Sequence, residues 1–165
     1  MTELTVDEIK RILPHRFPML LVDRVTEMVP GERLTALKAV TVNEPWYQEL
    51  DDKAPEEAYH YPSVLLAESW CQSAGVLAAW ENPNPDVLSG QVMLFGGVSD
   101  VEYLHPVRPG DVLEHRVTLS RSFGDTLIFE GESLVGEQVV LRVSRVTMAM
   151  RPASELTGGA PGEQS

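Results

Sequence analysis

Apolar residues recur along the chain at two different periods. In VDEIKRIL, residues 6–13, Val6, Ile9, Ile12 and Leu13 fall at helical spacing, which predicts a short amphipathic helix. Thr5 with Glu8 three residues on reads as a capping box at its start. Pro14 ends it. MLLVDRVTEMV, residues 19–29, then reads as a strand, PGER as a turn, and LTALKAVTV, residues 34–42, as a second strand. The stretch SVLLAESWCQSAGVLAAWE, residues 63–81, is different in kind. It is too long for a strand and has no internal proline. Its apolar residues, among them Val64, Leu66, Trp70, Ala74 and Leu77, surround almost the whole circumference, the pattern of a buried helix. Ser63, after Pro62, is placed as its N-cap, and NPNPD ends it.

The second half is strand-like. QVMLFGGVSDVEYL carries a Gly-Gly pair that predicts a bulge or a close backbone approach. HPVRPGD is a turn. VLEHRVTLSRSF, TLIFEGESLV and QVVLRVSRVTMAM are joined by GD and GE, so a meander is expected. The sum is one long buried helix with five or six mostly antiparallel strands, an α+β fold with a sheet wrapped around or packed on one central helix. One sheet cannot enclose that helix and also bury its own apolar face, so dimerisation through a sheet edge is expected. The expected organisation is a single domain over 1–151 and a disordered tail over 152–165, where ASELTGGAPGEQS is rich in Gly, Ser and Pro.

Composition narrows the function classes. A chain of 165 residues with 43% hydrophobic and 23% charged residues has enough apolar surface for one core without staples. The net charge of −12 repels phosphate backbones, and no basic stripe is visible, so no nucleic-acid partner is expected. No uncharged apolar run reaches membrane-spanning length, so no membrane partner is expected. The charged N-terminus lacks the apolar centre of a signal peptide. The single cysteine, Cys71, has no internal disulfide partner and fits a reducing compartment. These features predict a cytoplasmic protein.

Three stretches go beyond fold class: ILPHRFPMLLVDRV, PGERLTALKAVTVNEPWYQ and PSVLLAESWCQSAGVLA. Together they resemble the (3R)-hydroxyacyl-acyl-carrier-protein dehydratases of dissociated fatty-acid synthesis. LFGGVSDVEYLHPVRPGDVLEHRV is similar to the strand and turn that follow in that family. The resemblance runs from about residue 7 to about residue 150 in the same order. It implies a hotdog fold, a hotdog dimer partner, and acyl chains carried on the phosphopantetheine of an acyl carrier protein, with no other cofactor. It also implies a two-group dehydration. A histidine removes the α-proton of the β-hydroxyacyl thioester. A carboxylic acid near the start of the central helix, from the other subunit, protonates the leaving hydroxyl. The chemistry needs both groups, because the α-proton is weakly acidic and hydroxide leaves poorly without a proton.

The acid maps onto Glu68, with Gln72 four residues later on the same helical face. A carboxylate in an apolar helix is costly to bury charged, so Glu68 is expected to be neutral, paired with a hydrogen-bonding partner or facing a wet crevice, or functional, and as a general acid its apolar surroundings would raise its pKa. At the helix start, Ser63 and Val64 are the expected substrate-binding positions, since backbone N–H groups there favour developing enolate charge. Gln72 is the third. The base is missing. Where the family reads Gln-Gly-His-Phe-Pro, this chain reads Gln48, Glu49, Leu50, Asp51, Asp52, and its loop is about four residues longer. Leucine cannot accept a proton. His60, two residues before Pro62, is the candidate substitute.

The other histidines read as structural or unassigned: His15 in the LPHR turn, His105 before Pro106, and His115 in an alternating strand. None shows metal-ligand spacing, and no metal site is expected. Cys71 on a buried helix face reads as core. The arginines from Arg108 to Arg151, with Arg16 and Arg24, form either a docking patch for an acidic carrier protein or solvated strand faces. Three readings follow. The first is a β-hydroxyacyl-carrier-protein dehydratase subunit of fatty-acid or polyketide synthesis, completing its site as a heterodimer with a histidine-bearing hotdog chain. The second is an active homodimer that uses His60. The third is a non-catalytic acyl-carrier-binding or structural subunit. A thioesterase on the same fold fits less of the chain.

Overall fold

The computed structural model describes residues 1–157. Helix α1 spans Val6–Ile12 and is followed by β1 (Arg24–Val29) and β2 (Arg33–Ala39). Two 3₁₀ turns, Pro45–Tyr47 and Glu56–Tyr59, lead to the long helix α2 (Ser63–Ala79). Then come β3 (Gln91–Tyr103), β4 (Val112–Phe123), β5 (Thr126–Val135), β6 (Gln138–Pro152) and a last helical turn, α3 (Ala153–Thr157). The six strands form one antiparallel sheet in the order β1-β2-β4-β5-β6-β3. β4, β5 and β6 are the expected meander. Its two turns carry Gly124 at φ 60° and Gly136 at φ 59°, a left-handed conformation that glycine reaches without a Cβ clash. β3 is an edge strand, paired with β6 alone among the described residues, and the register shifts between Phe95 and Gly97, where the Gly-Gly pair predicted a bulge.

The sheet curls around α2. Trp70 is fully buried at the centre, in one core cluster with Leu34, Leu113, Phe129, Leu141 and Val146. Its indole Nε1–H donates to the Arg116 carbonyl at 3.2 Å, so the polar end of this large side chain is also satisfied. β5 passes close beneath it. A Cβ on Gly131 would stand 2.0 Å from the Arg116 oxygen and 3.2 Å from the Trp70 ring. Only glycine fits there, against the β4 backbone and the Trp70 ring.

Several boundaries differ from the sequence reading for physical reasons. The capping box of α1 is present, with Glu8 Oε2 accepting the Thr5 N–H at 2.8 Å. Residues 19–23 do not join the sheet as strand. Gln72 of α2 takes their place as hydrogen-bond partner: its Oε1 accepts the Leu21 N–H at 2.9 Å and its Nε2–H donates to the Met19 carbonyl at 2.7 Å. β2 stops at Ala39, and the Val40 N–H turns to the Asp111 carbonyl. Ser63 is the first residue of α2 rather than its cap. Pro62 holds the N-cap position and its carbonyl accepts the N–H groups of Leu65 and Leu66. At the other end, β6 runs through Pro152 and Ala153 is buried, so ordered chain continues past the boundary expected at 151. The rest of the expected tail, 158–165, lies outside the described residues.

The acidic loop between β2 and α2 is pinned at both ends. At its root, Lys38 Nζ donates to Glu44 Oε1 at 2.8 Å and to the Ala39 carbonyl at 2.9 Å, with both charged side chains under a tenth exposed. The same Glu44 oxygen accepts the Thr41 N–H at 3.1 Å. Such a pair is costly to desolvate, and losing one partner would strand the other charge. At the far end, the Tyr61 N–H donates to the Val107 carbonyl at 2.7 Å. Between them Tyr47 is buried and its hydroxyl donates to the Tyr59 carbonyl at 3.2 Å.

Candidate active site

Glu68 lies in the second turn of α2, on the side that faces β3 and β6. A cavity of about 270 Å³ opens beside it, lined at its polar end by Glu68, Gln72, His15 and Cys71 and at its apolar end by Met93, Phe95, Val98 and Met148. Phe95 and Val98 belong to the edge strand β3 and are exposed. A cavity with one carboxylate, one imidazole and an apolar wall suits an acyl chain that bears a reactive polar group near one end.

The carboxyl group is held from two sides. Gln72 Nε2–H donates to Glu68 Oε1 at 3.0 Å, and Gln72 is itself fixed by its bonds to Met19 and Leu21. His15 Nε2 stands 3.5 Å from the same oxygen, ion-pair distance rather than a tight hydrogen bond. Their side chains are 37% and 30% exposed, so both meet solvent or substrate in the cavity. The expected raised pKa of Glu68 is corrected here. His15 beside it, and after it the Gln72 amide, hold the carboxyl below its ordinary value against the opposing effect of burial. Glu68 is therefore ionised at rest. Cys71 has the opposite fate: burial, and then the Glu68 charge, push its thiol up to about 12, which leaves it neutral and supports the reading of core rather than nucleophile.

His60 is elsewhere. It is half-buried in a second cavity, with Ser63 at the start of α2, Tyr103 and Leu104 at the end of β3, and His105. Its Nε2 lies 3.5 Å from Arg108 Nη2, whose guanidinium also pairs with Glu56 at 3.1 Å. Within one chain His60 and Glu68 thus line different cavities. Ser63 belongs with His60, Gln72 belongs with Glu68, and Val64 is exposed on the first turn of the helix. Leu50, where the sequence analysis expected a histidine, is packed against the core. Two histidines that the sequence analysis left structural or unassigned have specific partners here. His15 sits at Glu68. His115 is fully buried, with Nε2 2.7 Å from Ser69 Oγ and Nδ1 2.7 Å from Ser133 Oγ. Its signal was the alternation of Leu113, His115 and Val117, all inward. Among the described residues no group of three His, Cys, Asp or Glu side chains is placed to hold a metal ion.

The model of the FabA-like domain matches residues 13–144. The 3-hydroxyacyl-[acyl-carrier-protein] dehydratase FabZ of Campylobacter hominis is 37% identical over 147 residues, 89% of this chain and 98% of that protein. FabZ of Rhizorhabdus wittichii is 36% identical over 152 residues, covering 92% and 93% of the two chains. Among solved structures, the dehydratase heterocomplex ApeI:P from Xenorhabdus doucetiae superposes with a TM-score of 0.71 at 20% identity, over 90% of this chain and 94% of that one. The PaaI protein of Escherichia coli superposes with a TM-score of 0.56 at 13% identity, over 76% and 80%. These solved structures share the hotdog fold. No helix among the described residues is long and apolar enough to cross a membrane. With four-fifths of its length matched by the domain model and near full-length FabZ relatives, the chain belongs to the FabA-like family, as a FabZ-like 3-hydroxyacyl-acyl-carrier-protein dehydratase of fatty-acid biosynthesis.

Proposed function

We propose that this chain is one half of a heterodimeric 3-hydroxyacyl-acyl-carrier-protein dehydratase. Glu68 is its contribution to the site, and a histidine of a second hotdog chain is the base. The observation that carries this reading is the pairing of a cavity-facing Glu68 with Leu50, an apolar core-packed residue where the α-proton acceptor is expected. The edge strand supports it. β3 has thirteen residues with one free edge, and its exposed Phe95 and Val98 are also walls of the Glu68 cavity, so a strand seated on that edge would close the cavity over an acyl chain. The substrate is an acyl thioester on phosphopantetheine, no further cofactor is required, and the setting is the cytoplasm, in fatty-acid or polyketide synthesis.

A second reading rests on the position of His60. Antiparallel pairing of two β3 edges brings the Tyr103 end of one strand alongside the Met93 end of the other. In a homodimer that places the His60 cavity of one protomer near the Glu68 cavity of its partner. The two readings separate in one assay on a β-hydroxyacyl-carrier-protein thioester. The heterodimer predicts no turnover by this chain alone and turnover with a histidine-bearing hotdog chain that Glu68→Gln abolishes. Turnover by this chain alone that His60→Ala removes would replace it with the homodimer. Activity with the partner that ignores Glu68→Gln would make this chain a non-catalytic subunit.

A further inference from the structure

We propose that His15 is the proton store of Glu68: imidazole and carboxyl hold one exchangeable proton between them, and the carboxyl passes it to the leaving hydroxyl. This rests on the dehydratase reading above. The need for a store comes from the site itself. A general acid must carry a proton, and a carboxyl held below its ordinary value has lost it at neutral pH. An imidazole titrates near neutrality, where a carboxylic acid alone is almost fully ionised.

The geometry fits this division of labour. His15 Nε2 is 3.5 Å from Glu68 Oε1, and both side chains line the same cavity. The Gln72 amide holds that oxygen at 3.0 Å, so the carboxyl cannot swing away from the imidazole, while Oε2 keeps its lone pairs for substrate. The other ring nitrogen, Nδ1, is buried with no hydrogen-bond partner among the described residues. Glu68 Oε1 is the acceptor within reach of Nε2. Other charges around the pair are few. The Arg16 guanidinium is tied to the carbonyls of Leu13, His15 and Lys10 at 2.8, 2.7 and 3.0 Å. Cys71 on α2 is a neutral thiol, and burial raises the Tyr103 phenol farther along β3. The remaining walls, Met93, Phe95, Val98 and Met148, do not titrate.

The proton count closes. The partner's base takes the α-proton, and the C–H electron pair becomes the new double bond. The imidazole proton moves to the Glu68 carboxylate, the carboxyl passes it to the C3 hydroxyl, the C–O bond breaks, and water leaves. The α-proton returns from the base to His15 through water, which resets both groups.

The test has two arms. In the first, the Glu68 carboxyl carbon of the intact chain is followed by NMR across pH, in wild type and in His15→Gln, which keeps a donor but cannot store a proton. The expected result is a second inflection near neutral pH in wild type that His15→Gln removes. A single inflection, unchanged in His15→Gln, overturns the proposal without reference to activity. In the second arm, the pH profile of kcat/KM in the active complex loses its neutral shoulder in His15→Gln, with activity falling tenfold or more at pH 7.5 and recovering toward pH 5. An unmoved profile also overturns the store. A coupled inflection in a protein that dehydrates no carrier-bound substrate with any partner leaves the pair standing and rejects the dehydratase reading.

Discussion

Glu68 and Ser69 are neighbours on α2, face different sides of the helix, and each meets a histidine. At Glu68 the partner is His15, part-exposed in a cavity, at 3.5 Å from a carboxylate. At Ser69 the partner is His115, sealed between two serine hydroxyls at 2.7 Å on either side. Burial drives the His115 pKa down to about 3, with the Lys38 charge adding to the effect, so this ring stays neutral through the physiological range. It ties α2 to β4 and β5 and exchanges no protons. The difference shows what makes a histidine chemically available. It is a charged partner together with access to water, and mere proximity to the helix is not enough.

Four experiments bear on that contrast. The largest effect falls at the cavity. Glu68→Gln should lower kcat of the active complex by about 10²–10⁴-fold, the usual contribution of a general acid, while the melting temperature moves little. A loss below tenfold would remove Glu68 from the chemistry. On the sealed side, His115→Leu should leave the buried Ser133 hydroxyl unpaired and Ser69 with only its 3.5 Å bond to the Leu21 carbonyl, at a cost of about 1–3 kcal/mol in denaturant unfolding. It should also flatten the pH dependence. The folded ring holds its proton only below about 3, whereas an unfolded histidine binds it near 6.5, so wild-type stability falls as pH drops through that window, by up to about 1.4 kcal/mol per unit. That component should be missing from the variant, and an identical slope in both proteins would refute the sealed-neutral assignment.

Gln72 joins the two regions, because it fixes Glu68 and also the Met19–Leu21 backbone. Gln72→Leu should cost about 1–3 kcal/mol through the stranded Leu21 N–H and shift the Glu68 carboxyl titration upward, read by the same carbon resonance. The smallest effect is at Cys71. Its alkylation at pH 8 should be slow in wild type and a few-fold faster in Glu68→Gln, because removing that charge makes the thiolate easier to form. No change would mean that Glu68 does not act on the thiol.

Much of this was legible in the chain. The meander, the Gly-Gly bulge and the buried helix follow from periodicity and spacing, since each rests on residues close in sequence, and the family resemblance singled out Glu68 and Gln72. The contacts that set the chemistry do not. Gln72 reaches Leu21 across fifty-one positions, and no local pattern announces that bond. For the same reason residues 19–23 read as strand although the Met19 carbonyl and the Leu21 N–H bond a helix side chain. The direction of the Glu68 shift was misread because burial was visible in the apolar run, while His15 was hidden in a turn assigned to structure. His115 could have been placed inward by its alternation, but its two serines lie on other elements.

The Lys38–Glu44 pair has a consequence for how such a loop can change. It fastens the β2–α2 connection at its root, and the Tyr61–Val107 bond fastens it again just before the helix. Lengthening a loop between two fixed points costs little, about 0.6 kcal/mol for each doubling. The tip around Leu50 is therefore free to gain residues, or to exchange an essential one for an inert one, with the sheet and α2 unaffected. A change at the loop tip is thus separated from the architecture that holds Glu68 in place.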